Sequence, residues 1–226
     1  MNHLSEEQTE LLHRVLDHVL EVNKQFNLTA IRDPEVAWTK HILDSLQGLE
    51  TGLFTNKKSV IDVGAGAGFP SLVLAAACPD LRVTALDSTR KKCDFIKATS
   101  EQFELGMRVI NGRAEETAQN KVWRERYDLG IARAVGSMSE VCELVLPLVR
   151  VGGHAVLWRG ENAREETKAA NNAIRKLGGK IGANAFIEYS LPNLPLKYHI
   201  VVIEKVSLSP AQYPRRNGLP KSKPLD

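Results

Sequence analysis

The chain has 226 residues, which is enough for one sizeable domain with a small appendage but short for two full domains. Its apolar content of 43% and charged content of 25% are those of a folded globular protein, and no apolar run reaches the roughly 18 residues that cross a bilayer. Met1–Glu7 is acidic where a secretory signal is basic and then apolar, so we expect a cytoplasmic protein without membrane association.

The cysteines and histidines do not form the patterns of a disulfide or metal protein. Cys78, Cys93 and Cys142 are odd in number and lie far apart in the sequence. The six histidines lack ligand spacings such as H-E-x-x-H. We therefore expect neither a disulfide framework nor a bound metal ion.

Two helices are predicted before any strand. Ser5 and Gln8 form a capping box that predicts a helix start, and apolar residues then recur at three- and four-residue steps as far as Phe26. A second helix is predicted to begin after Asp33, because an N-cap residue is followed there by proline at the first helical position. It runs to about Leu49.

From Lys58 onward, strand and helix patterns alternate. The predicted strands are 59–63, 82–86, 108–110, 127–131, 154–158, 186–189 and 198–204. The predicted helices between them are 68–78, 89–104, 115–119, 138–149 and 162–177. This alternation predicts an α/β fold with a parallel sheet, helices on both faces and a closing antiparallel hairpin.

The formal net charge of +3 is concentrated at the C-terminal end. Residues 206–226 carry four cations and one anion, so the rest of the chain is neutral overall. Local positive charge is a common mark of phosphate contact, although a solvated terminus has the same composition. We predict a basic tail at 207–226, after an N-terminal helical extension at 1–50 and a main domain at 51–206.

A glycine-rich segment, Asp62–Gly68, lies between the first predicted strand and helix. In a doubly wound sheet this turn is at the switch point, where ligands bind beyond the carboxyl ends of the strands. Asp87 ends the next strand, 19 residues after Gly68, and an acid there accepts both hydroxyls of an adenosine ribose. The pair predicts a nucleoside-type cofactor.

The glycine spacing distinguishes two classes of cofactor. A dinucleotide fingerprint is G-x-G-x-x-G, whereas this chain has G-x-G-x-G with a further carboxylate, Asp62, two residues before the first glycine. That carboxylate disfavours a pyrophosphate but suits the ammonium and sulfonium of S-adenosyl-L-methionine. The pattern favours a methyltransferase over an NAD-dependent oxidoreductase, which stays as the alternative.

Further positions follow other strands at the same edge of the sheet. Ala114 and Glu115 come after the third strand, where methyltransferases of this fold hold adenine, and Arg133 comes after the fourth. The Asn/Asp-Pro-Pro-aromatic loop of exocyclic-amine methylation is missing there, and Cys142 fits a buried thiol better than a nucleophile. An acceptor atom with a free lone pair and no proton to lose, such as guanine N7, needs neither.

Four segments and the tail carry a resemblance to a known family. They are Asn27–Pro34, Lys40–Ser45, Val60–Pro70, Tyr127–Ala134 and Tyr213–Leu225. Together they resemble the bacterial ribosomal RNA small-subunit methyltransferase G family, also called glucose-inhibited division protein B. The resemblance implies a class I (Rossmann-like) methyltransferase sheet and N7 methylation of one guanine in 16S ribosomal RNA. The implied methyl donor is S-adenosyl-L-methionine, and the implied partner is that RNA or the small ribosomal subunit. We favour a monomer.

The resemblance also implies roles for individual residues. Arg133 is the expected catalytic residue, facing the methyl donor. The expected cofactor contacts are Asp62, Gly64, Gly66, Phe69, Asp87, Ser88, Ala114, Glu115 and Arg133. His41, Asp44 and Ser45 match a motif that does not assign their individual roles. From their positive charge or their place in a matched segment, we expect RNA contacts at His41, Arg159, Arg215, Arg216, Lys221 and Lys223.

Two further points belong to this comparison. Many members read A-x-K-G after the fifth strand, whereas this chain has Arg159 before Gly160, which keeps the charge but changes its geometry. Trp38 and Trp158 are able to stack a base, but packing in the core is the better interpretation of both. A non-catalytic RNA-binding assembly factor that retains the cofactor fold is a second alternative.

Overall fold

The computed structural model describes residues 4–55 and 57–226. Residues 1–3, which begin the acidic segment compared with a signal sequence, lie outside the described residues. No helix within the described ranges is long and apolar enough to cross a membrane. The described residues also contain no cluster of three or more His, Cys, Asp or Glu that could hold a metal ion.

An open seven-stranded sheet in the order β3-β2-β1-β4-β5-β7-β6 forms the centre of the molecule. The strands are β1 Ser59–Val63, β2 Arg82–Asp87, β3 Arg108–Asn111, β4 Tyr127–Arg133, β5 Val149–Arg159, β6 Gly179–Ser190 and β7 Lys197–Lys205. β1 to β5 pair in parallel, and β7 pairs antiparallel with both β5 and β6. The predicted parallel sheet with a closing antiparallel hairpin is confirmed.

Helices cover both faces of the sheet. They are α1 Glu6–Asn23, α2 Pro34–Ala37, α3 Asp44–Leu46, α4 Ser71–Ala77, α5 Arg90–Gln102, α6 Ala114–Gln119, α7 Met138–Val145, α8 Ala163–Ala169, α9 Asn171–Lys176 and α10 Leu219–Ser222. Helices α1, α4 and α5 bury their apolar sides in one core, and α7 and α9 bury theirs in another. The burial of apolar surface in these two cores is the main favourable contribution to folding.

The first helix begins as predicted and ends earlier. Ser5 and Gln8 form the reciprocal capping box at its start. Its last residue is Asn23, whose Oδ1 accepts hydrogen bonds from the backbone of Leu28 and Thr29. Because the Asn23 side chain organises the following loop, the apolar periodicity that continues to Phe26 does not extend the helix.

The predicted second helix is interrupted rather than continuous. Asp33 caps α2 through the Val36 N–H, but Trp38–Leu43 is a π-helix, and a 3₁₀ turn at Gln47–Thr51 follows α3. A π-helix shifts the hydrogen-bond register by one residue and is common at functional sites. Here the Lys40 carbonyl, within the π segment, accepts a hydrogen bond from the Arg133 side chain.

Two strands begin earlier than the sequence predicts. β5 starts at Val149, because the predicted helix over 138–149 ends at Val145 and Pro147 occupies the short 3₁₀ turn that follows. β6 starts at Gly179, although its first half is polar and glycine-rich, and a register shift separates that half from Phe186. The first half of β6 has low strand propensity, so the sequence does not indicate it, and it is extended because it pairs with β7. The predicted helix over 162–177 is two helices, α8 and α9.

Candidate functional site

The glycine loop after β1 has the backbone that its sequence requires. Gly64, Gly66 and Gly68 have φ of +76°, +60° and +93°, a region that favours glycine. A Cβ on Gly68 would lie 2.4 Å from Leu72 Cδ1, so this position also allows close packing on the first turn of α4. The loop is fixed to β2, because the Gly64 and Ala65 N–H groups both donate to the Leu86 carbonyl.

Asp87, at the end of β2, connects the loop to the next turn. Its Oδ2 accepts the Gly66 N–H at 2.9 Å, and its Oδ1 accepts the Thr89 N–H at 2.8 Å. A carboxylate has about four acceptor positions, so each oxygen retains one for a ligand. The two neighbouring strand ends are thus locked together around an anionic group that still accepts hydrogen bonds.

Asp62 is a wholly buried carboxylate with one unsatisfied oxygen. Its Oδ2 accepts the Ser71 N–H at the start of α4, whereas its Oδ1 has no hydrogen-bond partner. Burial raises the pKa of Asp62 to about 6, although Ser71 and the positive charge of Arg133 oppose the shift. An orphaned buried acceptor of this kind fits a cationic ligand group such as an ammonium.

Asp62→Asn is expected to stabilise the ligand-free protein at pH 7. Since the folded pKa of about 6 lies above the ordinary 3.8, the native carboxyl holds its proton more tightly, and wild-type stability falls as pH rises between those values. Removing the charge should raise the free energy of unfolding by about 1–2 kcal/mol at pH 7. Urea denaturation of both proteins at pH 7 and pH 4 tests this. A variant less stable than wild type at pH 7 would contradict it, as would an equal gain at pH 4.

A cavity of about 230 Å³, the glycine-loop cavity, opens beside these residues. Its lining contains Gly64, Asp87, Ser88, Gly112, Arg113, Ala114, Glu115, Val135, Glu140 and Lys221. Burial raises the pKa of Glu115, but hydrogen bonds from Arg113 and the Gly218 N–H outweigh it and lower that pKa below its usual value. Glu115 is therefore a fixed, ionised acceptor at the cavity wall.

Arg133, at the end of β4, is engaged by the N-terminal helices. Its Nη1 donates to the Lys40 carbonyl at 2.6 Å and to Asp44 Oδ2 at 2.9 Å. Its Nη2 lies 3.2 Å from His41 Nδ1, and its Cζ is 5.7 Å from the centre of the Phe69 ring. The guanidinium thus joins the π-helix, the glycine loop and the edge of the sheet.

His41 is held in one uncharged form. Because Arg133 can only donate, His41 Nδ1 must accept, and the proton lies on Nε2, which donates to Thr29 Oγ1 at 3.0 Å. Burial and the Arg133 charge lower the pKa of His41 to about 4. Its ring stacks on Phe69 with centroids 4.4 Å apart. At neutral pH this side chain supports Arg133 and Phe69 without presenting a charge.

Asp44 is held from three sides. Its carboxylate accepts from Arg133 and also from the Tyr189 hydroxyl at 2.6 Å, while its backbone carbonyl accepts the Trp158 indole N–H at 2.7 Å. Burial raises the pKa of Tyr189 far above its usual value, and the Asp44 charge adds to the shift. Tyr189 was not predicted as a site residue. No local sequence pattern indicates it, because it reaches the site through the β6–β7 hairpin.

A second cavity of about 440 Å³, the aromatic cavity, lies over these residues. Its lining contains Ile31, Lys40, His41, Asp44, Arg133, Ala134, Trp158, Arg159, Gly160, Glu166, Tyr189 and Tyr198. Ala134 has φ of +56°, an unusual backbone for a residue with a Cβ, and such outliers cluster at functional sites. Ala134 lines the aromatic cavity and the next residue, Val135, lines the glycine-loop cavity, so the two cavities flank one turn of the chain.

The six expected RNA contacts lie in different environments. Arg159 turns inward, with its guanidinium on Glu166 and on the carbonyls of Val135 and Gly136. His41 is buried beneath Arg133, as described above. The four cations of the tail also differ. Arg215 pairs with buried Glu143, Lys221 lines the glycine-loop cavity, and Arg216 and Lys223 are exposed.

The fold resembles those of several solved structures, two of which are described as methyltransferases. TYW2 of P. horikoshii, in complex with MeSAdo, matches 72% of this chain and 61% of its own with a TM-score of 0.54 at 13% identity. TrmN from Thermus thermophilus matches 72% of this chain and 48% of its own with a TM-score of 0.52 at 15% identity. At these identities the likeness concerns the fold alone, and it agrees with the predicted class I (Rossmann-like) methyltransferase sheet.

The sequence itself is similar to curated relatives over nearly its full length. The family model described as rRNA small subunit methyltransferase G matches residues 8–188. The ribosomal RNA small subunit methyltransferase G of Alkaliphilus metalliredigens is 40% identical over 226 residues, covering 99% of this chain and 93% of the relative. That of Halalkalibacterium halodurans is 41% identical, covering 98% and 93%. The chain therefore belongs to the rRNA small subunit methyltransferase G family.

Proposed function

We propose that this protein transfers a methyl group from S-adenosyl-L-methionine to N7 of a guanine in 16S ribosomal RNA. Membership of the family supports small-subunit ribosomal RNA as the substrate. The observation that carries the proposal is the pair of cavities on either side of Ala134 and Val135. One is lined by Asp87, an acceptor suited to ribose hydroxyls, with the buried Asp62 behind it, and aromatic rings line the other. The glycine-loop cavity matches a methyl donor, and the aromatic cavity matches a flat acceptor base.

The residues of the glycine-loop cavity and the buried acid behind it fit the methyl donor. Asp62 offers an unsatisfied buried oxygen to an ammonium, and Asp87 retains acceptor positions for two ribose hydroxyls. Ala114 and Glu115 lie at the cavity wall on the adenine side, with Ser88 beside Asp87. The remaining expected cofactor contacts are Gly64, Gly66 and Phe69 in the glycine loop. When bound, S-adenosyl-L-methionine supplies an electrophilic methyl group on a sulfonium.

The aromatic cavity fits an acceptor that needs no general base. Both nitrogens of His41 are occupied, Asp44 is engaged by Arg133 and Tyr189, and Glu166 is bound to Arg159. None of these lining groups is free to remove a proton. Guanine N7 has an available lone pair and no proton, so positioning alone suffices for transfer. The rings of Tyr189 and Tyr198 offer flat surfaces to a base, whereas Trp158 is buried in the core beneath the cavity.

We also propose roles for the tail and for the other parts of the chain. Exposed Arg216 and Lys223 in the tail are suited to phosphate contact. We assign residues 1–50 to a helical extension that completes the aromatic cavity, 51–206 to the methyltransferase domain and 207–226 to the tail. With this substrate, we propose that the protein acts in the cytoplasm, and we favour a monomer.

Methyl transfer from labelled S-adenosyl-L-methionine to small-subunit RNA tests the proposal directly. N7-methylguanine should form in the RNA. It can be located because this modification makes the RNA chain cleavable at the modified base after reduction and aniline treatment. Ribosomal RNA from cells with and without the protein should differ at one such position. Methylation at a different atom, or of protein instead of RNA, would contradict the acceptor.

A ligand screen separates this proposal from its alternatives. S-adenosylhomocysteine should raise the thermal midpoint of the protein, whereas NAD should not. Stabilisation by NAD alone would instead support an oxidoreductase. RNA binding without turnover, under conditions where S-adenosylhomocysteine binds, would support a non-catalytic assembly factor.

A further inference from the structure

The C-terminal tail is fastened to the main domain along its length. The Arg124 guanidinium donates to the carbonyls of Ser209 and Tyr213, at 2.8 and 2.7 Å. The Gln119 amide donates to the Pro214 carbonyl at 2.8 Å. Leu225, near the last residue, packs against the core that contains α7. The basic segment is thus a strap laid across the domain rather than a free terminus.

Near its C-terminal end, the strap passes the glycine-loop cavity. The Gly218 N–H donates to Glu115 Oε1 at 2.9 Å, and Gly218, with φ of +77°, begins α10. Three residues later, Lys221 lines the cavity together with Asp87, Glu115 and Glu140. In the part of the chain that the structure describes, the Lys221 ammonium has no hydrogen-bond or ion-pair partner. Its charge is therefore available at the cavity mouth.

Of the side chains that line the cavity, only those of Ser88, Arg113 and Lys221 carry hydrogen-bond donors. Asp87, Glu115 and Glu140 are carboxylates, which accept hydrogen bonds when ionised, and the Arg113 guanidinium is directed to Glu115 at 2.9 Å. The ring nitrogens N1, N3 and N7 of adenine are also acceptors. Beside the single hydroxyl of Ser88, the Lys221 ammonium offers an adenosine three N–H donors and a positive charge. Lys221 also offsets the negative charge of the lining.

We propose that Lys221 binds the adenosine part of the methyl donor, so that the tail completes the cofactor site. This inference rests on the proposed function, because it takes the glycine-loop cavity as the site of S-adenosyl-L-methionine. It reassigns Lys221 from the RNA surface to the cofactor. Lys223 is two residues away, is exposed and does not line the cavity, so it provides a matched comparison.

Calorimetric titration of the full chain with S-adenosylhomocysteine tests the inference. Lys221→Met keeps the length of the side chain and removes its charge, and it should weaken cofactor binding by about tenfold, the effect of one charged hydrogen bond. Lys221→Arg should recover part of the affinity, and Lys223→Met should leave the Kd for S-adenosylhomocysteine unchanged. The thermal midpoints of the ligand-free variants should match wild type.

RNA affinity, measured with saturating S-adenosylhomocysteine, distinguishes the two roles of Lys221. The inference expects Lys221→Met to bind small-subunit RNA as wild type does. An unchanged Kd for S-adenosylhomocysteine with weakened RNA binding would overturn it and return Lys221 to the RNA surface. Failure of the wild-type protein to bind S-adenosylhomocysteine would instead overturn the proposed function, and this inference with it.

Discussion

Arg133→Ala is expected to lower the rate of methyl transfer by about 100-fold or more at saturating cofactor and RNA. The guanidinium holds the Lys40 carbonyl, Asp44 and His41 at the turn that separates the two cavities, and it lies near Phe69 of the glycine loop. A misplacement of about 1 Å between donor and acceptor costs that much in rate. Single-turnover methylation of small-subunit RNA measures the effect.

A companion variant separates chemistry from helix docking. Asp44→Ala removes the same ion pair from the other side, so both variants should lose similar stability, about 1–3 kcal/mol, because each leaves a partly buried charge unpaired. If Arg133 also faces the reacting groups, Arg133→Ala will have the slower single-turnover rate. Equal rates in the two variants would show that Arg133 only holds the N-terminal helices in place.

Tyr189→Phe is the matched control for this cluster. It removes one hydrogen bond to Asp44 but keeps the ring, the ion pair and the cavity wall. Its rate should therefore stay much closer to wild type than that of Arg133→Ala. A loss as large as that of Arg133→Ala would assign the effect to the orientation of Asp44.

The parts of the site that the sequence predicts are those built from neighbouring residues. The glycine loop requires positive φ at three positions within five residues, and only glycine adopts these without strain. Ser5 and Asp33 likewise mark helix starts through bonds to residues three positions away. Local chemistry of this kind is readable because donor and acceptor lie in one short segment.

The cluster around Arg133 cannot be predicted from local sequence patterns. Asp44 meets Tyr189 across 145 positions of the sequence, and the two are brought together by the order of β4, β5, β7 and β6 in the sheet. The π-helix that supplies the Lys40 carbonyl has no sequence mark of its own. Contacts of this kind depend on strand order and register, which composition and periodicity do not specify.

The sequence also does not show which charges of the tail are free to contact a partner. A count of cations does not reveal which of them already have partners, since Arg215 and Arg216 are adjacent and chemically identical. In the fold, Arg215 donates through Nε and Nη2 to Glu143, at 2.8 and 2.6 Å, whereas Arg216 is exposed. The Glu143 side chain is wholly buried. Substitution of the two arginines should therefore affect different properties of the protein.

Arg215→Ala is expected to lower the free energy of unfolding by about 3–5 kcal/mol, because it leaves the Glu143 carboxylate buried without its countercharge. Arg216→Ala should change stability by less than about 0.5 kcal/mol, as for other exposed substitutions, and should weaken RNA binding instead. Urea denaturation and RNA titration of both variants separate the two effects.

A double variant identifies the cause of the loss in Arg215→Ala. Glu143→Gln keeps an oxygen for the Arg215 backbone N–H, which donates to Glu143 at 2.8 Å, and it removes the buried charge. Glu143→Gln combined with Arg215→Ala should therefore be more stable than Arg215→Ala alone, since a neutral amide costs less to bury than an unpaired carboxylate. If the double variant is no more stable, the loss comes from the tail detaching rather than from the uncompensated charge. In either case Arg216 is the better candidate for contact with RNA, because it is exposed and does not pair with a buried carboxylate as Arg215 does.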